Sequence, residues 1–151
     1  MDTLLALDLG AKTGWALRMR DGTIMHGARN FKSVNADGAG MVFLRFKRWL
    51  DDLAGDRCPA QVWFEDVKRH IGTAPAHAFG GFRAVLAMWC ETNQIPYEGV
   101  GVSEVKKHAT GRGNASKDMV LAAMREKGFE PVDDNAADAL AVLHLAIAKE
   151  G

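Results

Sequence analysis

The sequence has few cysteines, no long apolar run and no net charge, and the first two of these exclude classes of protein. Its two cysteines, Cys58 and Cys90, are far apart and lack metal-ligand spacing, so neither a disulfide framework nor a cysteine-based zinc site is expected. Both are predicted to be buried free thiols in a reducing compartment. No apolar stretch is long enough to cross a membrane, and no basic-then-apolar leader begins the chain, so a cytoplasmic protein is predicted.

Positive and negative charges balance, with 19 basic and 19 acidic side chains, so overall charge does not indicate a nucleic-acid binder. The basic residues are nevertheless clustered, at Lys68-Arg69-His70 and Lys106-Lys107-His108, followed by Arg112 and Lys117. A neutral protein with such clusters can still bind phosphates through a basic face. Composition alone favours scattered, solvated charges over such a face.

The order of apolar patterns predicts one α/β domain over residues 1–151. Three antiparallel strands are expected first, then helix, strand, helix, strand and further helices, which together form a five-stranded mixed sheet flanked by helices. The strands are predicted at 3–8, 15–19, 23–31, 61–65 and 96–102. The helices are predicted at 41–53, 76–92, 104–109 after a Ser103 cap, 117–127 after a Ser116 cap, and from 134 or 135 to 148.

One carboxylate interrupts the apolar run over residues 4–10, which is typical of a strand buried on both faces. Burying the charge of Asp8 is costly unless something positive meets it. Taken alone, Asp8 could equally cap the turn at Gly10. A second predicted strand also ends in an acid, Glu65, so the two carboxylates are expected at the same edge of the sheet.

The last helix adds further oxygen ligands. Asp134 and Asp138 are four residues apart and Asn135 and Asp138 are three apart, so each pair shares a helix face. Small alanines around Asp138 should let this helix approach the sheet and bring the acid next to Asp8. Hard oxygen ligands without a matching Cys or His cluster favour Mg²⁺ or Mn²⁺. Two such ions, about 3.5–4 Å apart, would suit a phosphoryl displacement.

Four motifs in order resemble the RuvC family of Holliday-junction resolvases, within the ribonuclease H-like superfamily. They are residues 5–10 with 13–16, residues 64–65, residues 105–107 with 110–117, and residues 135–141. The resemblance spans nearly the whole chain. It implies a homodimeric, Mg²⁺-dependent endonuclease of DNA recombination and repair that nicks two opposed strands of branched DNA.

The resemblance also implies site residues. The family's acids correspond to Asp8, Glu65 and Asp138, and a further family acid falls on Asn135, with Asp134 beside it. Either Asn135 is a weak fourth ligand through its carbonyl, or Asp134 takes its place. Asp134 is slightly favoured, because charge matters most for Mg²⁺.

Basic residues match family positions near the scissile phosphate, at Lys106 or Lys107 and at Lys117. A lysine there can stabilise developing negative charge, although an exposed helix lysine is the simpler reading of each alone. In some family members an aromatic side chain soon after the second acid wedges into the junction. Here the loop is basic, with Lys68 and Arg69, so it should grip phosphates rather than stack on bases. The basic loop and the neutral charge favour a divergent member of phage or prophage origin.

The helix over 76–92 is apolar on more than one side. Its surplus apolar side chains could form a two-fold dimer seam that spaces two active sites, or could be buried in the core. The sequence favours neither the dimer seam nor simple burial.

Three other functions remain open. An actin-like phosphotransferase shares part of the pattern at 8–13, but its threonine comes one position early and such proteins need a larger chain. A protein of the same fold could bind branched DNA without cutting it, if Asn135 impairs metal binding. A relative of the same fold could process RNA.

Overall fold

The computed structural model describes residues 1–32, 38–55 and 58–150. These residues form five strands and five helices. The strands are β1 (Leu4–Asp8), β2 (Lys12–Arg18), β3 (Ile24–Asn30), β4 (Gln61–Asp66) and β5 (Tyr97–Gly101). The helices are α1 (Met41–Ala54), α2 (Thr73–Thr92), α3 (Val102–Thr110), α4 (Lys117–Glu126) and α5 (Asp134–Glu150).

All five strands belong to one sheet in the order β3-β2-β1-β4-β5. The β1–β2 and β2–β3 pairs are antiparallel, whereas β1–β4 and β4–β5 are parallel. The predicted fold class is therefore confirmed. Because β1 lies in the centre and carries apolar residues on both faces, it is the strand around which both layers of the core pack. Within the described ranges, no helix is long and apolar enough to span a bilayer.

Alternate residues of β1 face two different cores. Leu4 and Ala6 pack into a cluster with α3, α4 and α5, whereas Leu5 and Leu7 pack into a cluster with α1 and α2. This alternation follows from the period of two along a strand. The face beneath α5 is thus the face to which Asp8, two residues beyond Ala6, also belongs.

Several predicted boundaries were wrong. β2 begins at Lys12 rather than Trp15, because Gly14 pairs with Asp8 and extends the ladder beyond the predicted strand. α2 begins at Thr73 rather than Ala76, with Pro75 in the first turn, where proline is tolerated. Ser103 lies inside α3, which begins at Val102, and does not cap it.

The surplus apolar residues of α2 are divided between core and surface. Phe82 and Leu86 are fully buried against α1, but Met88 remains 69% exposed. The pairing of two protomers through α2 stays a prediction.

Of the two cysteines, Cys90 is a buried free thiol as predicted, whereas Cys58 is exposed, which corrects the prediction that both are buried.

Candidate active site

The strand register brings Asp8 and Glu65 to the same edge and face of the sheet. Ala6 and Trp63 are partners in the parallel β1–β4 ladder, and both lie in the cluster beneath α5. Asp8 and Glu65 follow two residues later on each strand, so their side chains alternate back to that face. Glu65 is only 8% exposed. The predicted meeting of two strand-end acids therefore follows directly from the register.

Helix α5 reaches this edge because the residues beneath it are small. Ala136, Ala137 and Ala139 are fully buried against the sheet. Gly14, the β2 partner of Asp8, lies against the backbone of Asn135, where a Cβ atom would overlap the Asn135 carbonyl group. The close approach predicted from the alanines thus also depends on Gly14, which the sequence prediction left outside the strands.

The start of α5 is fixed by Asp133, which precedes the helix. Asp133 Oδ1 accepts a hydrogen bond from the Ala136 backbone N–H at 2.8 Å, which is an N-cap. Lys12 Nζ lies 3.0 Å from Asp133 Oδ2 and ties this cap to the start of β2. Burial alone would raise the pKa of Asp133, but the Ala136 and Lys12 bonds, with a hydrogen bond from the Asn135 side chain, lower it overall.

The three acids proposed as ligands behave as one electrostatic cluster. Burial, followed by the charges of Asp138, Glu65 and Asp134, raises the pKa of Asp8 well above its usual value. Burial and Asp138 raise the pKa of Glu65 to about 7. Burial and Asp134 raise the pKa of Asp138 to about 6. Each carboxylate is thus costly to ionise without an added cation.

Two lysines reach this cluster. Lys117, the first residue of α4, has its Nζ 3.2 Å from Asp134 Oδ2, and this bond raises the pKa of Lys117. The charge of Lys117 also acts on Asp8 and Asp138. Lys106 of α3 lowers the pKa of both Glu65 and Asp138. Of the two predicted alternatives, it is Lys106 that acts on the acids, whereas Lys107 is exposed.

The acids are the ligand type that a hard divalent cation prefers, but their side chains do not form a complete coordination group. Carboxylate oxygens are what Mg²⁺ prefers, and a cation would relieve the mutual repulsion that raises the pKa of Asp8, Glu65 and Asp138. Over the described ranges, however, no three His, Cys, Asp or Glu side chains form a group that could hold an ion.

The loop after β4 is basic and anchored. Lys68 and Arg69 are exposed, while His70 turns inward, with Nε2 3.1 Å from the Val67 carbonyl oxygen and its ring packed on Phe79. Next to it, Ile71 is 98% exposed. This exposed apolar side chain in the loop after β4 was missed from the sequence, although a lone isoleucine in a polar loop could have indicated it.

The remaining predicted contact, Arg112, is exposed in the turn between α3 and α4. It therefore stays a prediction, as do the DNA contacts of Lys68, Arg69 and Lys107. Sequence reasoning missed Lys12 and Gly14 as residues that position α5. A glycine within a strand pattern indicates that another backbone approaches closely. This signal could have identified Gly14.

The five-stranded mixed sheet, with acids at the carboxyl ends of β1 and β4, matches the fold of RuvC Holliday junction resolvases. The chain is similar to RuvC in sequence as well as in fold, so the resemblance read from the motifs is confirmed.

The sequence similarity is to the RuvC crossover junction endodeoxyribonuclease of Wolbachia sp. subsp. Brugia malayi (strain TRS). The two are 26% identical over 152 residues, covering 94% of this chain and 91% of that protein. No protein-family model matches the chain.

Similar folds occur in two structures of Thermus thermophilus RuvC, each with a TM-score of 0.76. One is in complex with a Holliday junction substrate, is 19% identical, and is matched over 94% of this chain and 90% of that one. The other is 20% identical, over 99% and 96%. The yeast mitochondrial Holliday junction resolvase Ydc2 has a TM-score of 0.62 at 13% identity, over 92% of this chain and 75% of that one.

Proposed function

We propose that this protein is a divalent-metal-dependent endonuclease that hydrolyses phosphodiester bonds in four-way junctions or other branched DNA by paired cuts, acting in the cytoplasm. The observation that carries the proposal is the gathering of Asp8, Glu65 and Asp138 at one edge of the sheet, where burial and mutual repulsion raise the pKa of each. Such a cluster needs a cation to ionise fully. The likeness to a RuvC that holds a Holliday junction supports the choice of substrate.

Asp8, Glu65 and Asp138 would hold Mg²⁺, for which Mn²⁺ could substitute, as a pair of ions. Bound ions would supply an activated water and stabilise the attacking and leaving oxygens. We favour Asp134 over Asn135 as the fourth ligand. The charge of Asp134 acts on both Asp8 and Asp138, whereas the Asn135 side chain is engaged with Asp133.

The other residues bind and orient the substrate. Lys117 and Lys106 place positive charge beside the acids, where it can stabilise charge that develops on a phosphate. Exposed Lys68 and Arg69, with Lys107 and Arg112, would hold the DNA backbone. Ile71 offers an apolar side chain to a base step, which the basic residues of this loop cannot do.

Paired cuts require two sites, so the functional unit is proposed to be a homodimer of a single 1–151 nuclease domain. The face of α2 that carries Met88, next to Leu44 of α1, leaves apolar area exposed that a second copy could cover. The measurement is molecular mass in solution, and a monomer would contradict this part of the proposal.

Purified protein incubated with a labelled four-way junction, linear duplex or structured RNA, in Mg²⁺, Mn²⁺ or EDTA, tests the function. The expected result is symmetric nicking of the junction in either metal and none in EDTA. Asp8→Asn should abolish nicking while junction binding persists, because it removes a ligand charge and leaves the exposed lysines. Cleavage of RNA alone, or nucleotide hydrolysis without nucleic acid, would contradict the proposal.

A junction-binding protein that does not cut is the second candidate. Two observations favour it: asparagine stands at position 135, and the described residues hold no finished group of three ligands. Junction binding without nicking in any metal would select this candidate.

Lys68→Ala should weaken junction binding, because one phosphate contact is lost. The slope of log affinity against log salt concentration should become shallower by about one unit. Arg20→Ala is the matched control, since Arg20 is exposed in the β2–β3 turn at the opposite edge of the sheet. Affinity measured between about 50 and 200 mM salt checks this. Equal slopes for Lys68→Ala and the unaltered protein would show that Lys68 makes no phosphate contact.

A further inference from the structure

Two helices begin opposite each other at the edge of the acidic cluster. Lys117 opens α4 and Asp134 opens α5, and their side chains meet with Nζ 3.2 Å from Oδ2. Both backbones are held, because Ser116 caps α4 through the Met119 N–H and Asp133 caps α5. The two side chains can therefore separate without either helix moving.

The ion pair between them is exposed and hence weak. The Lys117 side chain is 75% exposed and that of Asp134 is 37% exposed. Exposed pairs of this kind contribute little, because water solvates both partners when the pair opens. A divalent cation that several carboxylates share interacts more strongly with Asp134 than one solvated ammonium does.

We infer that Lys117 is a removable placeholder for the divalent cation: it neutralises Asp134 in the metal-free protein and gives up this carboxylate when the cation enters. The inference rests on the proposed function and assigns a regulatory step to the same site. It gives Asp134 a role that suits its position one residue before Asn135.

Competition between Lys117 and the cation has a measurable consequence. Lys117→Met should tighten Mn²⁺ binding to the protein alone by about two- to fivefold, the size expected from losing one exposed ion pair. Lys106→Met is the matched control. The charge of Lys106 acts on Glu65 and Asp138, but Lys106 is not paired with Asp134. Any increase in Mn²⁺ affinity in Lys106→Met therefore reports the loss of a nearby positive charge, not the loss of the ion pair.

The decisive experiment is a double-mutant cycle on Mn²⁺ affinity, measured by the electron paramagnetic resonance signal of free Mn²⁺ without DNA. The gain from Lys117→Met should disappear in an Asp134→Asn background, whereas any effect of Lys106→Met should persist there. If Lys117→Met still tightens Mn²⁺ binding in the Asp134→Asn background, or does not tighten it at all, Lys117 does not compete with the cation for Asp134. Either result would overturn this inference and leave the proposed metal binding intact. Failure of every variant and of the unaltered protein to bind Mn²⁺ would overturn the proposed function itself.

A second measurement follows Lys117 after its release. With Ca²⁺ present, Lys117→Met should make the salt dependence of junction binding shallower, because the freed ammonium can then contact a phosphate. In EDTA the same substitution should change the slope less, since Lys117 remains on Asp134. Equal changes in Ca²⁺ and in EDTA would contradict the exchange of partners.

Discussion

Replacing Gly14 by alanine should reduce junction cleavage about a hundredfold, the cost expected when catalytic groups are displaced by about 1 Å. A Cβ atom at position 14 would overlap the carbonyl group of Asn135 and lie 3.0 Å from the Ala136 nitrogen. These are backbone atoms, so the start of α5 must move away from β2. That movement would carry Asp134 and Asp138 away from Asp8.

The matched control is Gly80→Ala in α2, where nothing lies within 4 Å of the added Cβ atom. This change should leave cleavage unaltered and stabilise the fold by about 0.5–1 kcal/mol, because alanine favours a helix over glycine. Gly14→Ala should destabilise it by about 1–3 kcal/mol, as overpacking does. Both are checked by urea unfolding and by cleavage rates. Full activity in Gly14→Ala would show that α5 does not position the acids.

The metal-free protein should lose a contribution to stability as the pH rises from about 4 to about 7. Asp8, Glu65 and Asp138 all have pKa values raised by burial and by one another, so the folded state holds protons that the unfolded state has released. This contribution is fully present below the unfolded pKa and is lost as pH rises through the folded pKa. For Glu65, a rise from 4.5 to about 7 corresponds to about 3 kcal/mol.

Other groups titrate in part of the same window. Burial lowers the pKa of His144, so its contribution increases with pH and opposes the loss from the acids. Comparison with Glu65→Gln isolates the contribution of Glu65, because the amide cannot ionise. Urea unfolding between pH 4.5 and 8 in EDTA should show a steeper loss for the unaltered protein than for Glu65→Gln, and Mg²⁺ should reduce that loss. Parallel pH profiles for the two proteins would contradict the raised pKa of Glu65.

The fold was predictable because its signals are local and repeated. Apolar runs with intervening helices predicted the element order, and the acid at the end of β1 and another near the end of β4 predicted a shared edge. The start of β2 was predicted wrongly because strand pairing overrides the local chemistry there. Lys12 and Gly14 resemble turn residues, yet the ladder between Gly14 and Asp8 extends β2 through them.

Parts of the site could not be read from the sequence because they depend on three-dimensional contacts. Asp133, Asp134 and Asn135 are all good helix caps, and only the Ala136 hydrogen bond and the Lys12 ion pair identify Asp133 as the one that caps. The difference between Lys106 and Lys107 depends on the rotation of α3 about its axis. A phage or prophage origin rests on the basic loop and the neutral charge, and it stays a prediction.

Diffraction from crystals grown with Mn²⁺, recorded at a wavelength where manganese scatters anomalously, tests the central claim most directly. The account predicts manganese at the edge of the sheet, bound by Asp8, Glu65 and Asp138, with Asp134 turned from Lys117 toward the ion. Manganese bound elsewhere, or none at saturating concentration while these three carboxylates remain apart, would contradict it.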